Sequence, residues 1–195
     1  MKIRILLAVL FMSLTAMLSG CGYNTMQANE EAVKAAWGDV ESAYQRRADL
    51  IPNLVTVVKK YAQHERETLT AVTEARAKAG QVTLSADKLG DPAAMAQFQQ
   101  AQSALGSTLS RLMVVVERYP DLKANQNFLD LQTQLEGTEN RINVARQRYN
   151  KAVETFNTSI RVFPNNLTNK FLLHLTLKEP FKAEEGSQKA PKVEM

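Results

Sequence analysis

Between residues 128 and 163 a large apolar residue returns every seven positions: Phe128, Leu135, Ile142, Tyr149, Phe156 and Phe163. A companion row at the same spacing, Leu131, Thr138, Ala145, Ala152 and Ser159, is mostly small. Seven residues make two turns of a slightly underwound helix. A repeat this strict therefore calls for a long helix whose seam packs large residues against the small side of a neighbour. A strand, with its period of two, has no use for it. Asn143, Asn150 and Asn157 form a third row at this spacing. The favoured reading of that row is a solvated flank; the alternative is a polar seam that fixes register or binds something.

The remainder of the chain reads as helix broken by proline and glycine. Eight Gly and six Pro in 195 residues compare with a usual combined share of about 12%, too few turns for a β-sandwich or barrel. Val33, Trp37, Val40 and Tyr44, then Ile51, Leu54, Val58 and Tyr61, recur at spacings of three and four, as on one helix face. A loop runs from Gly80 to Gly90. Asp91-Pro92 reads as an N-cap with proline at the first helical position, opening a helix that carries Phe98, Leu105, Leu109, Leu112 and Val116. That helix stops at Tyr119-Pro120-Asp121, and the last one extends from about Leu122 to Phe163, before Pro164.

The expected fold is all-α, an antiparallel bundle of four helices. Pro52 decides the count. A turn at Asp49-Leu50-Ile51 makes Pro52 the opening of a second helix, and this is the favoured reading. In the alternative, the first two helices are one long helix kinked at Pro52, because the apolar phase passes through it. An interior proline costs ~3 kcal/mol or more unless packing compensates.

The first twenty residues read as an address. Lys2 and Arg4 precede Ile5 to Leu18, fourteen residues without a charge; as a helix these span only ~21 Å, short of the ~30 Å hydrocarbon core. The run ends in Leu18-Ser19-Gly20-Cys21, which resembles the lipobox of bacterial lipoproteins. Gly20 supplies the small residue at the cleavage position. The Cys21 thiol would carry the lipid, and two or three acyl chains such as palmitate anchor stably at ~0.8 kcal/mol per buried CH₂. Cleavage would lower the formal charge of +4 by two, too weak a bias for nucleic acid. The domain plan is a signal peptide over 1–20, the bundle over 21–164, and over 165–195 an extension with a short apolar segment and a polar tail. Residue 22 is Gly, not the Asp that resembles an inner-membrane retention signal. The expected location is therefore the non-cytoplasmic side, and in a cell with two membranes the outer membrane facing the periplasm.

Chemistry is sparse. One Cys and two His exclude a disulfide framework and leave almost no metal-ligand inventory, so no metal, cofactor or catalytic residue is expected. His64-Glu65-Arg66-Glu67-Thr68 begins like H-E-x-x-H, but Thr68 stands where the second His is needed. The more informative stretch is Gln45 to Val55. Arg47 interrupts the apolar stripe, and Arg46, Arg47, Asp49, Pro52 and Asn53 make either a polar joint that satisfies backbone groups freed by proline or a surface for docking a partner. The joint is the favoured reading.

Several of these segments occur together in order: Gly22-Tyr23-Asn24, Ala36-Trp37, Arg46-Arg47-x-Asp49-Leu50-Ile51-Pro52-Asn53-Leu54-Val55, Tyr61-x-x-His64-Glu65, Ala75-Arg76, Tyr119-Pro120-Asp121-Leu122-Lys123-Ala124-Asn125, Leu131-x-x-Gln134-Leu135-Glu136-x-Thr138-Glu139-Asn140-Arg141-Ile142, Ala145-Arg146, Tyr149-Asn150 and Phe163-Pro164. From Gly22 to Pro164 the chain resembles the LemA family. The resemblance implies a membrane-tethered, largely helical bundle on the non-cytoplasmic side, and it brings no catalytic residues. The lipobox start departs from the longer uncleaved anchor commoner in that family, and the segment after Pro164, Phe171 to Leu177 and a polar tail, departs again. The expectation is a lipid-anchored interaction or scaffold protein of the cell envelope, not an enzyme, with envelope proteins as partners and homo-oligomerisation left open. Two alternatives stand beside it: a carrier of an acyl chain within the bundle, and a weak hydrolase centred on His64.

Overall fold

The computed structural model describes residues 2–182, and for Lys2 and residues 6–21 the backbone alone. Six α-helices follow in order: α1 (Lys2–Tyr61), α2 (Arg66–Gln81), α3 (Pro92–Val116), α4 (Pro120–Lys123), α5 (Gln126–Ser159) and α6 (Asn165–Thr168). The last runs into a π-helical turn over Asn169–Leu173, which ends at His174 in the left-handed region (φ 52°), and residues 175–182 follow as a segment outside any helix. Among the described residues there is no strand.

The favoured break at Pro52 is corrected by the structure: α1 continues through it as one long helix, and the turn lies at residues 62–65. The reason is local. The Pro52 ring is exposed, so it meets no neighbouring helix. Pro52 has no N–H to give the carbonyl four residues back; that Ala48 carbonyl instead accepts from Arg76 Nε, on α2, at 2.8 Å. Buried Ile51 and Leu54 on either side hold the apolar phase through the joint. Four long helices remain, α1, α2, α3 and α5, with the first boundary displaced by ten residues.

The α3 start is as expected. Asp91 accepts from the N–H groups of Ala93 and Ala94 at 2.9 and 3.3 Å, with Pro92 at the first position. The last long helix is shorter than expected. It begins at Gln126, capped by Asn125 on Phe128 N–H at 3.2 Å, and ends at Ser159. The seven-residue row is accordingly buried from Phe128 to Phe156, whereas Phe163, beyond the helix end, is 78% exposed. The small row does what its size permits: Thr138, Ala145 and Ser159 are buried where α5 lies along α1, the most extensive helix pairing in the molecule.

Two hydrophobic clusters stack along the bundle. The distal one joins Ile51, Leu54 and Val58 of α1 with Leu69 and Val72 of α2, Leu105 to Val116 of α3, and Phe128 and Leu135 of α5. Here four helices surround the core. In the proximal cluster α2 has run out: its sixteen residues reach only ~24 Å. Leu84 and Leu89 of the 82–91 loop and Phe181 of the extended segment take its place around Trp37, Phe98, Tyr149 and Phe156. Buried polar side chains, Arg47, Gln102 and Thr138, lie where one cluster gives way to the other.

Candidate functional site

The residues singled out around Pro52 separate into two groups. Arg47 is 4% exposed and ties three helices together. Its NH1 meets Glu139 Oε2 on α5 at 3.1 Å, and its NH2 donates to the side-chain and backbone oxygens of Gln102 on α3, at 2.8 and 3.1 Å. The guanidinium also sits 5.1 Å from the Tyr44 ring centroid, while its Nε is buried with no hydrogen-bond partner. A planar fork on an apolar stripe can bridge helices this way where an ammonium would reach one acceptor.

Arg46, Asp49, Pro52 and Asn53 point outward. Asp49 accepts from Gln45 Nε2 at 2.7 Å. Arg46 and Asp49 line an open cleft of about 810 Å³ between α1 and α5, together with Asp39, Asn140, Arg141 and Arg148. The guanidinium that satisfies the Pro52 joint is that of Arg76. Cys21 and Gly20 lie on the α1 backbone, and the Cys21 side chain falls outside the described residues.

His64 is exposed in the turn between α1 and α2. Its neighbour Glu65 accepts from Arg118 NH2 and from the Tyr119 hydroxyl at 3.0 and 2.9 Å, and Asn125 Nδ2 donates to the Tyr61 hydroxyl at 3.0 Å. The bond to Glu65 raises the Tyr119 pKa above its ordinary value. These residues fasten the distal turns to one another. Among the described residues no group of His, Cys, Asp or Glu could hold a metal ion, and no helix is long and apolar enough to cross a membrane.

The feature missed from sequence is the seat of the extended segment. Asn150 donates from Nδ2 to the Phe181 carbonyl and accepts Phe181 N–H at Oδ1, at 3.1 and 2.8 Å. Asn157 treats Lys178 in the same way, both bonds at 2.9 Å, and Asn169 does so for Leu175, at 3.1 and 2.8 Å. Each side-chain amide thus pairs one residue of the segment as a neighbouring strand would. The spacing is commensurate: seven helical residues rise ~10.5 Å and three extended residues ~10 Å, so Asn150 and Asn157 meet Phe181 and Lys178 in register. The solvated-flank reading therefore fails at Asn150 and Asn157. It holds at Asn143, which is exposed.

Side chains complete the seat. Phe181 stacks on Trp37 at 5.9 Å and meets Tyr149 edge-on at 5.5 Å, with the Arg146 guanidinium 4.8 Å from its centroid. Lys178 is buried and paired with Glu30 at 3.2 Å. Tyr149 donates to the Glu179 carbonyl at 3.0 Å; burial pushes its pKa well above the usual phenol value. Glu179 N–H reaches the Leu89 carbonyl at 2.8 Å. The segment passes so close to Gly90 that a Cβ there would lie 2.7 Å from the Leu177 oxygen.

These features define a class: an all-α bundle built on one long N-terminal helix and closed by an extended C-terminal strap. The LemA family model matches residues 36–195, and the chain belongs to the LemA family. It is similar to magnetosome protein MamQ 2 of Paramagnetospirillum magneticum (strain ATCC 700264 / AMB-1), 29% identical over 185 residues covering 87% of this chain and 65% of the relative. It is 26% identical to magnetosome protein MamQ of Magnetospirillum gryphiswaldense over 180 residues, 83% of this chain and 66% of that one. Protein LemA of Metamycoplasma hominis is 25% identical over 143 residues, 73% of this chain and 61% of the relative. The chain thus spans just under two thirds of the length of these relatives.

Proposed function

We propose that the chain is a lipid-anchored, non-catalytic interaction protein of the bacterial envelope, held by Cys21 on the non-cytoplasmic side, in a two-membrane cell at the outer membrane. The observation that carries this reading is the division of the Arg46–Asp49 segment. Arg47 is consumed in bracing three helices, whereas Arg46 and Asp49 face an open cleft with Asp39, Arg141 and Arg148. Such a mixed-charge cleft on a rigid helical face suits a protein partner whose charges complement it. The relatives named for the magnetosome support a membrane-associated setting.

The same geometry weighs on the alternatives. Glu65 beside His64 is already engaged by Arg118 and Tyr119, which disfavours that pair as a hydrolytic base. The wide cleft between α3 and α5 is lined by Gln99, Gln102, Ser103 and Ser110 among its apolar residues, a poor lining for an acyl chain.

Photo-crosslinking from position 46 in intact cells, with intact-mass spectrometry of the membrane fraction, tests the proposal. Expected are a thioether-linked lipid on Cys21 and a crosslinked envelope protein that disappears in Arg141→Glu/Arg148→Glu. That variant should melt within about 2 °C of the wild type, since both residues are exposed and surface changes of this kind shift stability by roughly 0.5 kcal/mol. An unmodified chain beginning at Met1 refutes the anchor; a crosslink indifferent to the two substitutions refutes the cleft.

A further inference from the structure

Thirteen large apolar side chains are exposed among the described residues, and six of them fall within residues 162–177: Val162, Phe163, Leu167, Phe171, Leu172 and Leu177. They follow the end of α5: the first five on α6 and the turns around it, and Leu177 on the segment beyond. Single exposed apolar residues need no explanation, but a concentration of this kind does.

The position of the patch says what covers it. Asn165 of α6 packs against Gly22 so closely that a Cβ on Gly22 would lie 2.2 Å from Asn165 Oδ1, and the Asn165 amide is fixed to the Ser159 carbonyl at 3.0 Å. Gly22 follows Cys21 directly. Phe163 is two residues from Asn165, at most ~7 Å of chain, so the patch and the anchor share one end of the bundle. Tyr23, the next residue of α1 and 43% exposed, adds an aromatic ring beside Gly22. The other end, some forty helical residues or ~60 Å away along α1, is finished with ion pairs, Glu65 with Arg118 and Glu117 with Lys123.

Charge points the same way. From Thr155 to Lys178 the sequence has no Asp or Glu, while Arg161 and Lys170 are exposed. Aromatic and aliphatic side chains flanked by cations, without acids, match a surface of anionic lipid headgroups over acyl chains.

We propose that Val162–Leu172 is a second membrane contact: the exposed rings of Phe163 and Phe171, with Leu167 and Leu172, enter the interface of the bilayer that holds the N-terminal anchor, and Arg161 and Lys170 engage its anionic headgroups. The contact fixes the orientation of the bundle against the bilayer, which a lipid attached at the single point Cys21 does not. It rests on the anchored reading given above, and its test separates the two.

The full chain is purified from membranes and reconstituted in vesicles of phosphatidylcholine and phosphatidylglycerol, with and without acyl-brominated lipid. Phe171→Trp reports on the patch and Leu129→Trp on the distal end; Leu129 is exposed near the start of α5. The added indole emission of Phe171→Trp is expected to fall by about half or more on bromination, and that of Leu129→Trp by about a tenth or less. Arg161→Glu/Lys170→Glu should reduce the quenching at position 171 by about twofold. Equal responses at the two positions overturn the proposal, as does a blue-shifted, concentration-dependent emission without bromolipid quenching, which would assign the patch to a second copy of the chain. A chain that fails to float with the vesicles sinks the anchor itself; a chain that floats with position 171 unquenched sinks only the patch.

Discussion

Arg76 and Arg47 do different jobs in this molecule, and the difference follows from what each guanidinium can reach. Arg76 supplies the donor that Pro52 lacks, at the Ala48 carbonyl. Arg76→Ala should therefore cost ~1–2 kcal/mol, the penalty of leaving that half-buried carbonyl unpaired. In a Pro52→Ala background the restored N–H bonds Ala48 itself, so the same change should cost less. A double-mutant cycle by urea melts should give a coupling of ~0.5–1 kcal/mol or more; additive effects would mean that the carbonyl does not hold the joint. Arg47→Ala removes the fork from Gln102 and Glu139 and should cost ~2–4 kcal/mol. Arg47→Lys should recover only part of that, since an ammonium cannot span both helices. Sequence alone flagged Arg47 because it interrupted an apolar stripe. The ~100° helical step between neighbours set Arg47 on that stripe and Arg46 off it, but the partners were not legible, because they come from α3 and α5, some fifty-five and ninety-two residues away. Arg76 was visible only as part of a family pattern, since nothing local to it says that a proline on another helix lacks a donor.

The elements were legible where their signals are local. The seven-residue row gave α5, and the Asp91-Pro92 cap gave the first turn of α3. The helix break displaced from Pro52 to residues 62–65 shows the limit of such signals: a proline ends a helix only if its freed carbonyl finds no other donor. The strap was harder still, because an extended segment has no periodicity of its own against a helical face. Its trace lay in the asparagine row, whose spacing was plain while its partner was distant in sequence. If those amides and the aromatic seat hold the strap, Phe181→Ala should cost ~3–4 kcal/mol as a buried aromatic truncation. It should also red-shift the emission of Trp37, the single tryptophan, by exposing the ring on which Phe181 stacks. Gly90→Ala should loosen the strap without touching the core, because the added methyl displaces the Leu177 carbonyl. Hydrogen exchange localised to residues 174–182, with helical amides still protected, is the expected signature; a global loss of protection would show that Gly90 matters for the loop fold instead.

At the scale of the molecule, the bundle is completed differently at its two ends: distally by α2, proximally by a loop and the strap. The all-α class and the count of four long helices were available from turn scarcity and apolar phase. The substitution of strap for helix was not, since it depends on α2 being too short to reach the proximal cluster. This arrangement places Tyr149, fully buried, at the seam between α5 and the strap, with its hydroxyl on the Glu179 carbonyl. Burial first, and the Glu179 charge second, raise its pKa, and Tyr119 is raised by its bond to Glu65 at the distal end. For both phenols the folded value exceeds the unfolded one, which is about 10. The native state therefore retains these protons where the unfolded chain has released them. The stabilisation is complete below about pH 10 and is lost as the pH rises toward the folded values, so stability falls with increasing alkalinity. Urea midpoints measured from neutral pH upward should be flat in their phenol contribution to about pH 9 and then decline. Tyr149→Phe should lower the midpoint at neutral pH, by removal of one hydrogen bond worth ~0.5–1.5 kcal/mol, yet make the alkaline decline shallower. A decline of unchanged steepness in Tyr149→Phe would place the titrating group elsewhere and leave the strap seam without its coupling to pH.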